Sequence, residues 1–159
     1  MSIESLFLNV RVIEAKDLPK MDIFGSIDAY ACLQLSSSKA VYKTKVIQSY
    51  NPRWDQQFHI PISGSTEFLY ILIQDLDAGS KNDSVSRVKI PLNNLIPGQV
   101  IEQWYELTPL PGVKAGGQIY LKIQIAPDST VPFQPIVQDE NAPAVQVFKK
   151  ISTMGRESE

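Results

Sequence analysis

The chain has 159 residues, of which 43% are hydrophobic, and a formal net charge of -2. That length suits one domain with some additional chain, and a core of that size needs no disulfide to hold it. Charged residues make up 20% and the two signs nearly cancel, which excludes the strongly basic footprint of a bulk nucleic-acid binder.

The first residues, Met1-Ser2-Ile3-Glu4, carry no basic region of the kind that opens a signal peptide. From Leu6 to Val12 the even positions are Leu6, Leu8, Val10 and Val12, with Asn9 and Arg11 between them. A period of two predicts a half-buried strand. It ends at Asp17-Leu18-Pro19, where proline removes a ladder donor. Further strands are predicted over Tyr30–Leu35, Val41–Gln48, Gln57–Pro61, Phe68–Gln74, Val85–Leu92, Glu102–Leu107 and Gly117–Ile125. The run Phe68–Gln74 is nearly all apolar and reads as a central strand buried on both faces. Turn signals such as Asn51-Pro52, Pro97-Gly98 and Gly116-Gly117 separate these runs. The sum is an all-β fold, an eight-stranded antiparallel β-sandwich.

Composition changes after Pro127, where Pro132, Pro135 and Pro143 interrupt any ladder. The boundary predicted there gives a sandwich over 1–127 and a tail over 128–159. Asn141 can cap a helix, Pro143 suits a first turn, and Val145, Phe148 and Ile151 share one helical face. A short amphipathic helix is therefore expected over 142–154. It can pack back on the sandwich or serve as a docking segment for a protein partner.

Two loops carry the chemistry. One is Asp22-Ile23-Phe24-Gly25-Ser26-Ile27-Asp28 after the first strand; the other is Asp75-Leu76-Asp77-Ala78-Gly79-Ser80-Lys81-Asn82-Asp83 after Phe68–Gln74. Alternate loops of a sandwich meet at one end. Five clustered carboxylates repel one another unless a hard cation joins them. Calcium takes 6–8 oxygen ligands at about 2.3–2.6 Å, and aspartate supplies two on a short stem. The spacing is wrong for an EF-hand, which needs Asp or Asn at Gly79, Gly at Ser80 and Glu at Ser86. A nucleotide-sugar enzyme using Asp-x-Asp would need a βαβ pattern, and no such pattern occurs.

Ala15-Lys16-Asp17-Leu18, Asp22 to Tyr30, Lys43-Thr44-Lys45, Asn51-Pro52-Arg53-Trp54-Asp55-Gln56-Gln57-Phe58 and Asp75-Leu76-Asp77 together resemble a C2 domain, over about residues 5 to 127. The resemblance implies calcium carboxylates at Asp22, Asp28, Asp75, Asp77 and Asp83, and backbone carbonyl ligands near Met21 and Leu76. Two positions depart from the family pattern: Ala29 follows Asp28 where Pro is usual, and Ser86 replaces a usual Gly. A chain that opens on the strand before the first acidic loop and closes on a Gly-Gly-Gln-Ile strand is similar to the permuted order called type II.

Met21, Ile23 and Phe24 sit beside Asp22 at a loop tip, where they can pack under the loop or insert between lipid headgroups. Lys39, Lys43 and Lys45 lie around one predicted strand, and residues two apart share a face. By resemblance to the family's phosphoinositide site they form an anionic-lipid patch, weakened because Cys32 and Gln34 stand where basic residues are frequent. Trp54 and Phe58 are expected in the core, and Trp104 and Tyr105 as packing on a late strand. His59 is the only histidine and Cys32 the only cysteine, so no triad, His-based metal site or internal disulfide is available. No enzyme is expected. The expected function is calcium-dependent binding to anionic phospholipid membranes by a cytoplasmic protein that becomes peripheral on a calcium rise. The alternative is a non-enzymatic scaffold module that docks a protein partner or a cytoskeletal assembly.

Overall fold

A computed structural model describes residues 6–20, 25–76 and 83–126. The described chain forms ten strands: β1 Leu6–Lys16, β2 Asp28–Leu35, β3 Val41–Lys43, β4 Ile47–Gln48, β5 Arg53–Ile62, β6 Phe68–Asp75, β7 Asp83–Pro91, β8 Val100–Glu106, β9 Thr108–Pro109 and β10 Gln118–Ala126. They make two sheets. The first has the order β5-β1-β10-β8; the second has β3-β2-β6-β7-β9, with β4 also paired to β2. All pairings are antiparallel. The last strand thus fills the middle of a sheet beside the first, as the permuted order requires.

The period of two in β1 becomes burial: Leu8, Val10 and Val12 face the second sheet and are fully buried. Leu121 and Ile123 of β10, Ala31 and Leu33 of β2, and Ile71 and Ile73 of β6 meet them in the core. No described residue is helical, so among the described residues no helix is long and apolar enough to cross a membrane. The expected tail helix over 142–154 lies outside the described residues.

The eight expected strands are all present, and one of them is broken. Val41–Gln48 stops at Lys43 and resumes at Ile47. Thr44 turns inward at the break: its N–H donates to Ala31 O and its Oγ1 accepts the Ala31 N–H, both at 2.9 Å. Glu102–Leu107 ends at Glu106, and the chain crosses to the other sheet, where Thr108–Pro109 pairs with β7. The expectation that Phe68–Gln74 is buried on both faces fails. Leu69, Ile71 and Ile73 are buried, but Leu72 is half-buried and Tyr70 is 40% exposed. The reason is architectural, since a sandwich covers only one face of each sheet.

Trp54 is fully buried, as expected, and its indole N–H donates to Ala29 O at 3.2 Å. Trp104 and Tyr105 are separated by strand alternation. Tyr105 packs on the core, while Trp104 lies on the outer face against Tyr120, with the Lys16 ammonium 4.3 Å from its ring centre. The Asn51-Pro52 turn ties β1 down: Asn51 Oδ1 accepts the N–H of Asp17, which has a positive φ of 56°, and Pro52 O accepts from Ala15. Gly117 has a φ of +88°, and a Cβ there would meet Lys16 O at 2.6 Å, so no other residue fits the turn into β10.

Candidate functional site

Three of the five aspartates fall within the described residues, and the sheet register brings them to one end of the second sheet. Asp28 opens β2, Asp75 closes β6 and Asp83 opens β7. Asp75 stands directly opposite Asp83 and next in line to Asp28 through its partner Ala29. Directly opposed residues on antiparallel strands place their side chains on the same face a few ångströms apart. The second acidic loop is therefore closed at its base by an Asp–Asp pair.

Asp28 is fixed by its backbone. Its N–H donates to Asp75 Oδ1 at 2.9 Å, and its carbonyl accepts the Leu76 N–H at 2.9 Å. The two acidic loops are thus joined where they leave the sheet, through main chain and one carboxylate oxygen. Asp28 and Asp75 are half-buried; Leu76 and Asp83 are exposed. Ser26 in the first loop accepts a hydrogen bond from Gln48 Nε2 at 2.6 Å. Asp22, Asp77, Met21, Ile23 and Phe24 lie outside the described residues. Among the described residues, no group of three His, Cys, Asp or Glu side chains is close enough to hold a metal ion. What the described part contributes is carboxylate and carbonyl oxygen, with His59 and Cys32 elsewhere in the fold. That donor chemistry fits a hard cation such as calcium rather than zinc or copper.

The three lysines sit in different local settings. Lys43 pairs with Cys32 at the edge of the second sheet. Lys45 follows the strand break; its N–H donates to Gln56 Oε1 at 2.9 Å, and its charge acts on Asp55 of β5. Lys39 lies exposed in the loop before β3. A row across the second sheet runs Lys43–Cys32–Leu72–Arg87, and the next runs Val41–Gln34–Tyr70–Lys89. Arg87 and Lys89 are both exposed, and Lys89 Nζ lies 4.1 Å from the centre of the Phe68 ring. These two cations were missed in the sequence. The signal was there, two basic residues two apart in β7, but only the sheet order sets Arg87 level with Lys43 and Lys89 in the next row. Cys32 is half-buried in this row. Burial pushes its thiol pKa up and nearby Lys43 pulls it partly back.

Two antiparallel sheets in this order, with acidic loops at one end, define a C2-type sandwich. The C2 domain profile matches residues 7–107, and the chain belongs to the C2 domain family. Synaptotagmin-1 of Aplysia californica is 35% identical over 105 residues, covering 63% of this chain and 24% of that protein. Synaptotagmin-4 of Arabidopsis thaliana is 31% identical over 127 residues, covering 76% and 22%. The chain thus spans about a quarter or less of these relatives. Among solved structures, a C2 domain of plant extended synaptotagmin 1 superposes with a TM-score of 0.71 at 21% identity, covering 79% of this chain and 98% of that one. The calcium-bound pair of C2 domains from extended synaptotagmin 2 gives a TM-score of 0.64 at 20% identity, covering 79% and 47%. At those identities the likeness shows the fold.

Proposed function

We propose that this domain binds anionic phospholipid membranes in a calcium-dependent way, through the end of the sandwich that carries the aspartates. One observation carries the reading: the register that seats Asp28, Asp75 and Asp83 together at the ends of β2, β6 and β7. With Asp22 and Asp77 from the same two loops, the site would offer five carboxylates, and the Met21 and Leu76 carbonyls would add neutral oxygens. Calcium would lift the repulsion between this cluster and anionic headgroups and leave coordination sites for lipid phosphate or carboxylate oxygen. Met21, Ile23 and Phe24 would then enter the interface, each worth about 1.5–3 kcal/mol when fully buried. Exposed Lys43, Arg87 and Lys89 on the neighbouring face add attraction that does not need calcium. The domain would be peripheral, reaching the membrane on a calcium rise.

The test is sedimentation with phosphatidylserine vesicles over a calcium series, for wild type and for Asp75→Asn with Asp83→Asn. The amide keeps an oxygen to accept the Asp28 N–H, so charge is removed and the fold is retained. Wild type should bind as calcium rises and release on chelation, and the double variant should lose that dependence. Binding that ignores calcium, or survives both substitutions, would overturn the reading and favour a protein-docking scaffold. Phe24→Ser should weaken vesicle binding while leaving calcium affinity in solution nearly intact.

A further inference from the structure

Folded proteins blunt the edges of their sheets with short strands, proline, bulges or lysine, because an open edge templates another strand. Three of the four edges of this sandwich are blunted. β3 and β4, which share one side of β2, have 3 and 2 residues, and β9 has 2, one of them Pro109. β5 is long, but it carries Pro61, a register shift against β1 and Asp55 at a φ of 48°. The fourth edge is β8. Its run Val100–Glu106 holds no proline, glycine, lysine or arginine, and its register with β10 is unbroken. Among the described residues no strand pairs with its other side.

The ladder fixes which groups face that side. Leu107 N–H donates to Gly117 O at 2.9 Å, at the end of the β8–β10 pairing. Bonded and unbonded residues alternate along an antiparallel pair, so Tyr105, Gln103 and Ile101 bond to β10. Glu102, Trp104 and Glu106 turn their N–H and C=O groups to the open side. The same three direct their side chains to the outer face, since Tyr105 between them packs on the core. They read carboxylate, indole, carboxylate. Trp104 is 36% exposed, and Val100 and Ile96, just before it in the chain, add exposed apolar surface. Glu102 accepts from Tyr120 and lies near Lys122, whereas among the described residues no ion pair joins Glu106 to a cation.

We propose that the open edge of β8 binds an extended basic segment of a partner protein by strand addition. Main-chain bonds to Glu102, Trp104 and Glu106 supply the hold, and alternate side chains supply the choice. Cross-strand pairs favour opposite charges, and aromatic beside β-branched residues. The fitting segment therefore carries lysine or arginine opposite Glu102 and Glu106, and valine, isoleucine or threonine opposite Trp104. A second copy of this chain fits badly, because each β8 brings two carboxylates and no base to the seam. Paired antiparallel about Trp104, two copies would set Glu102 against Glu106 twice, and like charges directly opposite are destabilising. The carboxylates that keep this edge from a second copy are the ones that attract a basic strand. Strand addition here is independent of membrane binding, which uses the aspartate end of the second sheet.

The test titrates the full isotope-labelled chain, at low ionic strength, with a capped peptide in which threonine alternates with lysine, valine and lysine. Hydrogen exchange is then read amide by amide. Saturating peptide should slow exchange at Glu102, Trp104 and Glu106, which are open in the free chain, and leave Ile101, Gln103 and Tyr105, already bonded to β10, little changed. The same peptide with glutamate for lysine should not bind. Glu106→Lys, at an exposed position, should weaken binding about five-fold or more. Trp104→Pro removes an N–H that faces the open side and no β10 ladder bond, so it should abolish binding while the cooperative unfolding transition persists. Should that variant fail to fold, Glu106→Lys decides. No saturable binding, protection of the three amides in the free chain, or binding without the alternating pattern would overturn strand addition. So would equal binding of the glutamate peptide, or a Glu106→Lys variant that binds like wild type.

Discussion

The two outer faces of this sandwich are built alike and finished differently. Each is the solvent side of an antiparallel sheet whose other side forms the shared core. On the second sheet, the rows Lys43–Cys32–Leu72–Arg87 and Val41–Gln34–Tyr70–Lys89 hold three exposed cations and no carboxylate. On the first sheet, the cations are engaged within the face. Arg11 Nε lies 2.8 Å from Asp55 Oδ1, Arg53 Nη1 lies 3.1 Å from Glu14 Oε2, and Lys122 is buried near Glu102. The difference teaches that alternation fixes which residues point outward and leaves open whether outward means water. Lys122 and Lys89 look the same in a strand pattern. One is a buried structural group, and the other is free to meet an anionic surface.

The sharpest way to break the comparison is to reverse the same charge on both faces. Lys122→Glu puts a second carboxylate beside Glu102 in a covered position and should cost about 3 kcal/mol or more, the range for a broken buried pair. Lys89→Glu reverses an exposed cation resting on Phe68 and should change stability by less than about 0.5 kcal/mol. Urea unfolding of both variants measures this. Equal costs would mean that the two faces are equally wet.

A second expected effect is alkaline and belongs to the first sheet. Burial pushes the Tyr105 phenol from 10.0 up to about 12. The folded state therefore holds that proton more tightly than the unfolded state does. Its stabilisation is complete below pH 10 and is lost as pH rises to about 12, a drop of up to about 3 kcal/mol. Tyr105→Phe should remove that part of the alkaline limb. Tyr120 is also shifted up, by burial and then by its 2.6 Å hydrogen bond to Glu102, but it is half-exposed, so Tyr120→Phe should remove less. Thermal unfolding between pH 9 and 12 checks both. A limb unchanged in Tyr105→Phe would show that its phenol is hydrated.

Much of this was legible in the sequence, and what was not has physical causes. The core side of β1 followed from period two, and the Asn51-Pro52-x-Trp54 motif marked a turn that does pin the start of the acidic loop. The break at Thr44 and the crossing after Glu106 were not visible. Each depends on a partner strand far away in sequence, β2 in one case and β7 in the other. Phe68–Gln74 misled because an apolar outward residue such as Tyr70 or Leu72 has the same composition as a buried one. At the acidic site, the spacing showed which loops carry aspartate. Only the register showed that Asp75 faces Asp83 and that Asp28 is joined to Asp75 through its own N–H.

The smallest expected effect separates two lysines that lie two residues apart. A continuous strand over Val41–Gln48 would put Lys43 and Lys45 on one face, but the strand is interrupted after Lys43 and resumes at Ile47. Lys43 stays with Cys32 on the open basic face, while Lys45 comes to the β5 edge, where its charge helps hold the Asp55 carboxyl below its ordinary pKa behind the larger effect of Arg11. If the second-sheet face meets anionic lipid, Lys43→Ala should weaken vesicle binding about five-fold, the worth of one cation near a charged surface at about 1 kcal/mol. Lys45→Ala should weaken it by less than about two-fold, because Lys45 sits at the β5 edge, where the Asp55 carboxylate offsets its attraction to anionic lipid. The pair is best compared at low ionic strength, where screening is weakest, and again at high salt, where the Lys43 effect should shrink toward that of Lys45. Equal losses at low salt would place both lysines on the lipid-facing side and return the patch to the β3 edge. Unequal losses would move its centre toward Arg87 and Lys89.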